Sequence, residues 1–152
     1  MWNMNLNETI TSSPEETLAH GQQLARRLRA PALVCLYGEL GAGKTTLVKG
    51  IVSGLGLAEA REVTSPAFVF VHVFGDGIKV YHVDLYRIQY TREIETLGLD
   101  DLLAEQAIVI VEWAEKVSLS GLQPDWRVRL ETLSDTQRRI CVEELKPHKQ
   151  AR

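Results

Sequence analysis

The chain has 152 residues, 45% of them hydrophobic and 24% charged, with a formal net charge of −3. That length favours one domain with a sizeable core and no need of disulfides, and the net acidity argues against a protein that grips nucleic acid by electrostatics alone. No apolar stretch approaches the roughly 20 residues of a bilayer span, the N-terminus with Asn3, Asn5, Asn7 and Glu8 is no signal peptide, and Cys35 and Cys141 lack metal or disulfide spacing, so the expectation is a cytosolic chain with two reduced core cysteines and no zinc site.

Residues 5–12 alternate apolar and polar, the pattern of a first strand. Ser13-Pro14-Glu15-Glu16 reads as a helix start, with Ser13 as N-cap, Pro14 at the first helical position and Glu16 closing a capping box. Leu18, Gly21, Ala25 and Leu28 share one face of that helix, Arg26, Arg27 and Arg29 lean to solvent, and Pro31 ends it. Ala32 to Tyr37 is a short apolar run suited to a buried parallel strand. It leads into Gly38-Glu39-Leu40-Gly41-Ala42-Gly43-Lys44-Thr45, which fits the phosphate-binding pattern G-x-x-x-x-G-K-[ST]. Leu47, Val48, Ile51 and Val52 follow at helical spacing, so the motif lies between strand and helix as a P-loop requires.

The chemistry follows from that context. Gly38, Gly41 and Gly43 permit backbone angles that turn successive amides inward as an anion nest. The helix opening at Lys44 adds free N–H groups and the positive end of its dipole. Lys44 is expected to reach the β- and γ-phosphates of a nucleoside triphosphate, and the Thr45 hydroxyl to ligate Mg²⁺.

Gly54 and Gly56 mark a break after the P-loop helix, and Val63-Thr64-Ser65-Pro66 reads as a polar turn. Residues 68–74 and 78–84 flank Gly75-Asp76-Gly77 as a β-hairpin, so the sheet is expected to be mixed. Residues 92–105 read as one helix, with Ile94, Leu97, Leu102 and Leu103 apolar. Ala107 to Val111 forms a second buried strand that ends in Glu112-Trp113. Residues 126–132 and 138–145 alternate around Ser134-Asp135-Thr136 as a second hairpin. The domain is expected to span residues 1–146, with 147–152 a loose basic tail.

A P-loop needs an acidic partner on a neighbouring strand. Ile108-Val109-Ile110-Val111-Glu112 has the form of a Walker B strand, and Val80-Tyr81-His82-Val83-Asp84 offers a second carboxylate at a strand end. Either acid could assist Mg²⁺ while the other positions water, although acids at strand ends also cap loops. Thr64 and Ser65 occupy the interval where a switch segment supplies a hydroxyl in many P-loop proteins, and equally suit an ordinary Ser/Thr/Pro turn. Arg87 could stabilise phosphate charge, though exposed arginines are commonly only solvated. Trp113 could cover a base or simply pack, and His82 shares the strand face of Asp84. His20, His72, His82 and His148 have no metal-ligand spacing.

No N/T-K-x-D base-reading motif and no D-x-x-G switch of the regulatory GTPases occurs. Little chain is left for the lid of a small-molecule kinase, so a compact ATPase fits better. A small P-loop kinase using Asp84 as base, or a nucleotide-gated binding module without meaningful hydrolysis, are the alternatives.

The P-loop, then Val63-Thr64-Ser65-Pro66-Ala67-Phe68, Tyr81-His82-Val83-Asp84-Leu85-Tyr86-Arg87 and Val111-Glu112-Trp113 occur in one order along the chain. In this the chain resembles the TsaE (YjeE) family of bacterial ATPases in tRNA N6-threonylcarbamoyladenosine synthesis, over residues 10 to about 145. Ala67 stands where the family commonly has Thr. The resemblance implies an α/β, P-loop NTPase-like three-layer sandwich with a mixed sheet including antiparallel hairpins. It implies ATP and Mg²⁺ as cofactors, TsaD and TsaB as protein partners, and tRNA reached only through that complex, with no membrane or DNA partner. ATP hydrolysis would reset the TsaB–TsaD pair between turnovers rather than form the modification bond. By the same resemblance Lys44, Asp84 and Glu112 are catalytic, and Thr45 and Glu112 hold the metal. Glu39, Leu40, Gly41, Ala42, Gly43, Lys44, Thr45, Thr46, Thr64, Ser65 and Trp113 contact the nucleotide.

Overall fold

The computed structural model describes residues 6–56, 61–63, 68–73 and 79–145. Eight strands form one sheet: β1 (Leu6–Thr11), β2 (Ala32–Tyr37), β3 (Arg61–Val63), β4 (Phe68–Val73), β5 (Lys79–Asp84), β6 (Ile108–Glu112), β7 (Trp126–Thr132) and β8 (Arg138–Glu144). Their spatial order is β1-β8-β7-β2-β6-β5-β4-β3. The inner strands β7, β2, β6 and β5 are parallel, and antiparallel pairs flank them on both sides. The sheet is therefore mixed as expected, and the carboxyl ends of β2, β5 and β6 meet at one edge, where α/β sheets place ligands.

Five consecutive residues of β2 from Ala32 to Leu36 are buried, because both faces of the strand are covered. Val34 and Leu36 pack into a core with Leu24 of helix α1 (Pro14–Ala25), Leu28 just beyond it, and Leu47, Val48 and Ile51 of helix α2 (Lys44–Gly54). Leu33 and Cys35 face the other core, with Ile94, Leu99 and Val117 from helices α3 (Thr91–Leu97) and α4 (Leu99–Ala104) and a 3-10 helix over Ala114–Ser120. Period-two alternation thus feeds two cores and makes three layers. Cys35 is fully buried, which pushes its thiol up to about 12. Cys141, expected in the core, is only half-buried, and its Sγ donates to Glu8 Oε2 at 3.5 Å.

Ser13 caps α1 through a bond from Glu16 N at 3.1 Å, while the Glu16 carboxylate accepts from Ser12 N rather than from the cap residue itself. Helices α1 and α2 approach so closely that a methyl added at Gly21 would strike the Leu47 carbonyl oxygen, and one at Gly50 the Leu18 carbonyl oxygen. Two expectations need correction. The helix expected over 92–105 is two short helices, since Gly98 adopts φ 67° and both ends one helix and caps the next. The turn reading from Val63 omitted strand β3, whose three residues pair antiparallel with β4. The turn at 75–77 and the tail from 147 lie outside the described residues. Among the described residues no helix is long and apolar enough to cross a membrane.

Candidate active site

The loop after β2 turns into α2 at Gly43, whose φ of 100° belongs to the left-handed region. A methyl there would meet its nearest neighbours, Leu130 and Thr17, only at 3.7 and 3.8 Å, so backbone angle rather than space requires glycine. No side chain caps α2, which leaves its first amides facing the cleft for an anion. Ala42 is buried at 1% exposure and its own amide is engaged with Glu39 O at 3.0 Å, so it braces the loop from behind.

Parallel pairing sets the opposite wall. Glu112 stands level with Leu36 of β2 and with Asp84 of β5. The residue is 4% exposed, and both of its carboxylate oxygens lie 3.3 Å from Thr45 Oγ1 at the first turn of α2. His82 Nε2 lies 2.6 Å from Glu112 Oε2; the carboxylate can only accept there, so Nε2 carries the proton. Asp84 is half-buried, and its Oδ1 accepts from Tyr86 N at 2.9 Å.

Lys44 is 5% exposed. Its ammonium donates to the carbonyls of Gly38 and Glu39 and lies 4.6 Å from the centre of the Trp113 ring, a cation–π distance. Trp113 has φ 59°, an outlying conformation for a bulky residue that persists only where its surroundings hold it. Here the Tyr86 ring meets it at 5.0 Å.

These groups enclose a cleft of about 360 Å³, lined by every residue from Leu40 to Thr46 except Ala42 and by Asp84, Tyr86, Glu112 and Trp113. A larger depression of about 680 Å³ opens across Leu40 and Trp113 over β7 and β8, where Arg129, Glu131 and Arg139 line it. It lacks the helix N-terminus and the buried carboxylate, so the smaller cleft is the one with the chemical groups suited to a phosphate. Glu39 lines the larger depression, and Arg87 is exposed and lines neither. Thr64 and Ser65 lie outside the described residues.

Two contacts had no local sequence signal. His82 shares the strand face of Asp84, but its bond to Glu112 depends on the parallel register between β5 and β6, in which Val80 pairs with Ile108, His82 with Ile110 and Asp84 with Glu112. Arg138, at the start of β8, donates through Nη2 to Gly41 O at 3.3 Å, bracing the P-loop from the second hairpin.

Comparison with known proteins gives a consistent picture. The family model described as threonylcarbamoyl adenosine biosynthesis protein TsaE matches residues 11–140. The tRNA threonylcarbamoyladenosine biosynthesis protein TsaE of Bacillus subtilis is 37% identical over 131 residues, covering 86% of this chain and 80% of the relative. The protein of the same name from Treponema pallidum is 32% identical over 133 residues, covering 88% and 97%. Among solved structures, Bacillus subtilis YdiB superposes with a TM-score of 0.69 at 28% identity, over 92% of this chain and 86% of that one.

Proposed function

Because this chain belongs to the TsaE family of threonylcarbamoyl adenosine biosynthesis proteins, we propose that it is a cytoplasmic Mg²⁺-dependent ATPase that acts on a TsaB–TsaD pair in tRNA modification. The observation that carries the ATPase reading is the meeting of Thr45 and Glu112 beside the uncapped start of α2. A hydroxyl and a carboxylate are the hard oxygen donors that Mg²⁺ prefers, and so few protein ligands suit an ion completed by phosphate oxygens and water. When bound, Mg²⁺ neutralises charge on the transferring phosphoryl group.

The chain's own residues supply the rest. The amides around Gly41 and Gly43 and the first turn of α2 bind phosphate. Lys44 exchanges its carbonyl contacts for phosphate oxygens, gaining charge-assisted bonds. Half-buried His82 fixes the rotamer of Glu112 so that one oxygen stays turned towards Thr45. Asp84, at the cleft wall, orients the attacking water. Trp113 and Tyr86 shield the reacting phosphate from bulk water.

The test is phosphate release from Mg·ATP by the chain alone and after addition of TsaB and TsaD, with Lys44→Ala in parallel. Low basal release, stimulation by the pair, and loss of ATP affinity by about 10- to 100-fold in Lys44→Ala are expected, from the removal of charged hydrogen bonds worth about 1.5–3 kcal/mol. Unchanged affinity and turnover in Lys44→Ala would sink the P-loop assignment, and absence of stimulation would sink the partner assignment.

A further inference from the structure

The loop that joins β5 to α3 carries Asp84 at its start and Tyr86 against Trp113, yet it contains no regular structure to hold it. Leu85 and Ile88 are buried, at 0% and 3% exposure, while Tyr86, Arg87, Gln89 and Tyr90 are exposed. Burying two side chains of a bend brings its carbonyls to the inner side, where they need donors. One side chain meets three of them. Lys116 Nζ lies 3.0 Å from Leu85 O, 3.2 Å from Tyr86 O and 2.6 Å from Ile88 O. An ammonium has three N–H donors and no acceptor, so one cation matches this set of carbonyls.

The origin of that cation gives the contact its meaning. Lys116 belongs to the 3-10 helix that begins directly after Glu112-Trp113. Its ammonium therefore ties the segment leaving β6 to the segment leaving β5, the two strand ends that bring Glu112 and Asp84 to the cleft. A second tie, Leu85 N to Glu112 O at 3.2 Å, runs beside it. We infer that Lys116 is a positioning residue: it gathers the loop carbonyls so that Asp84 and the Tyr86–Trp113 pair stand as one wall of the cleft. Without the cation three carbonyl dipoles point at a common centre, and the Ile88 amide, 3.0 Å from Leu85 O, meets one of them. The loop then relaxes outward, Tyr86 leaves Trp113, and Asp84 loses the amide that fixes its Oδ1. Lys116 itself lines neither depression and touches no residue of the P-loop in any of these bonds.

This inference rests on the nucleotide reading of the cleft, and its experiment separates the two. Lys116→Ala removes a propylammonium group from the site, so n-propylammonium chloride is the rescue agent and 1-propanol its neutral control. Three quantities are read: kcat with Mg·ATP, Kd for Mg·ATP, and acrylamide quenching of Trp113 in a Trp2→Phe/Trp126→Phe background. The expected result is a kcat lower by on the order of tenfold to a hundredfold, as misplacement of a reacting wall produces. Kd should stay within about threefold, because the phosphate-binding loop keeps its contacts. Trp113 should become more quenchable, and propylammonium but not propanol should reverse both changes. A variant that only melts earlier, with unchanged kcat and Trp113 quenching per folded molecule, overturns the inference, as does rescue by propanol equal to that by propylammonium. If the wild-type chain releases no phosphate under any condition, the ATPase reading fails on its own, while Trp113 quenching and its reversal by propylammonium still decide the role of Lys116.

Discussion

Replacing Glu112 by Gln isolates the charge of the carboxylate from its shape. The side chain keeps its volume, and the amide oxygen can still accept from His82 Nε2, the shorter of its bonds at 2.6 Å. The amide nitrogen then faces Thr45 Oγ1, now 3.3 Å from either carboxylate oxygen, and the hydroxyl accepts instead of donating. Every buried polar atom keeps a partner, so stability should change by no more than about 1 kcal/mol, about 2–4 °C in melting temperature for a domain of this size. Catalysis has no such substitute, because the amide carries no negative charge and turns an N–H towards the place of a cation. Losing one preorganised electrostatic contact of this kind costs about 3–4 kcal/mol in the transition state, which converts to about 10²- to 10³-fold in kcat. Glu112→Ala should lose the same turnover and also melt several degrees lower, since it leaves the largely buried His82 donor without its acceptor at a cost of about 1–3 kcal/mol. The assay is phosphate release at saturating Mg·ATP beside ATP affinity and a melting curve. A Glu112→Gln chain that turns over within about threefold of wild type would refute the reasoning and leave Glu112 as a partner for His82 alone.

Two further outcomes follow from the packing and the titration of the chain. Gly50→Ala, which in an exposed helix would gain about 1 kcal/mol, should instead destabilise by about 1–3 kcal/mol or more, because the new methyl meets the backbone of Leu18 and lies 3.1 Å from Gly21 Cα; an unchanged or raised melting temperature would contradict the helix contact. Burial, reinforced by the charge of Arg27, holds the His20 imidazole below its ordinary value of 6.5. The folded chain therefore resists a proton that the unfolded chain accepts, so this contribution to stability is complete above pH 6.5 and declines as pH falls through that value towards the lower folded one. Melting temperature should fall more steeply between pH 7 and pH 5 in wild type than in His20→Gln, and equal slopes would remove His20 from the account.

What could be read from the sequence was what is local in the chain. The P-loop is a run of consecutive backbone conformations, so its glycines, Lys44 and Thr45 declare it without reference to anything distant. Glu112 was legible because a strand buried on both faces leaves an apolar run, and an acid at its end is conspicuous. The bond from His82 to Glu112 was not legible, since it depends on which strands become neighbours and in what register. The role of Lys116 has no trace in the sequence, because carbonyls carry no sequence signal and their convergence exists only once the loop is bent. The break at Gly98 was hidden for another reason: the apolar spacing of Ile94, Leu97, Leu102 and Leu103 runs on through it, and periodicity outweighed a single glycine that in fact caps one helix and starts another.

The contact between α1 and α2 bears on how a map of mutational tolerance for this chain would be read. Gly21 and Gly50 are not among the residues that line the cleft, yet any side chain larger than hydrogen would meet a facing carbonyl at them. A saturation library selected for survival would score both as intolerant as Lys44, and the two sites would stand out together as a patch on the P-loop side of the sheet. The intolerance of that patch is steric: it marks two helices in backbone contact, and a chemical rescue that restores a missing group in the cleft would leave it untouched.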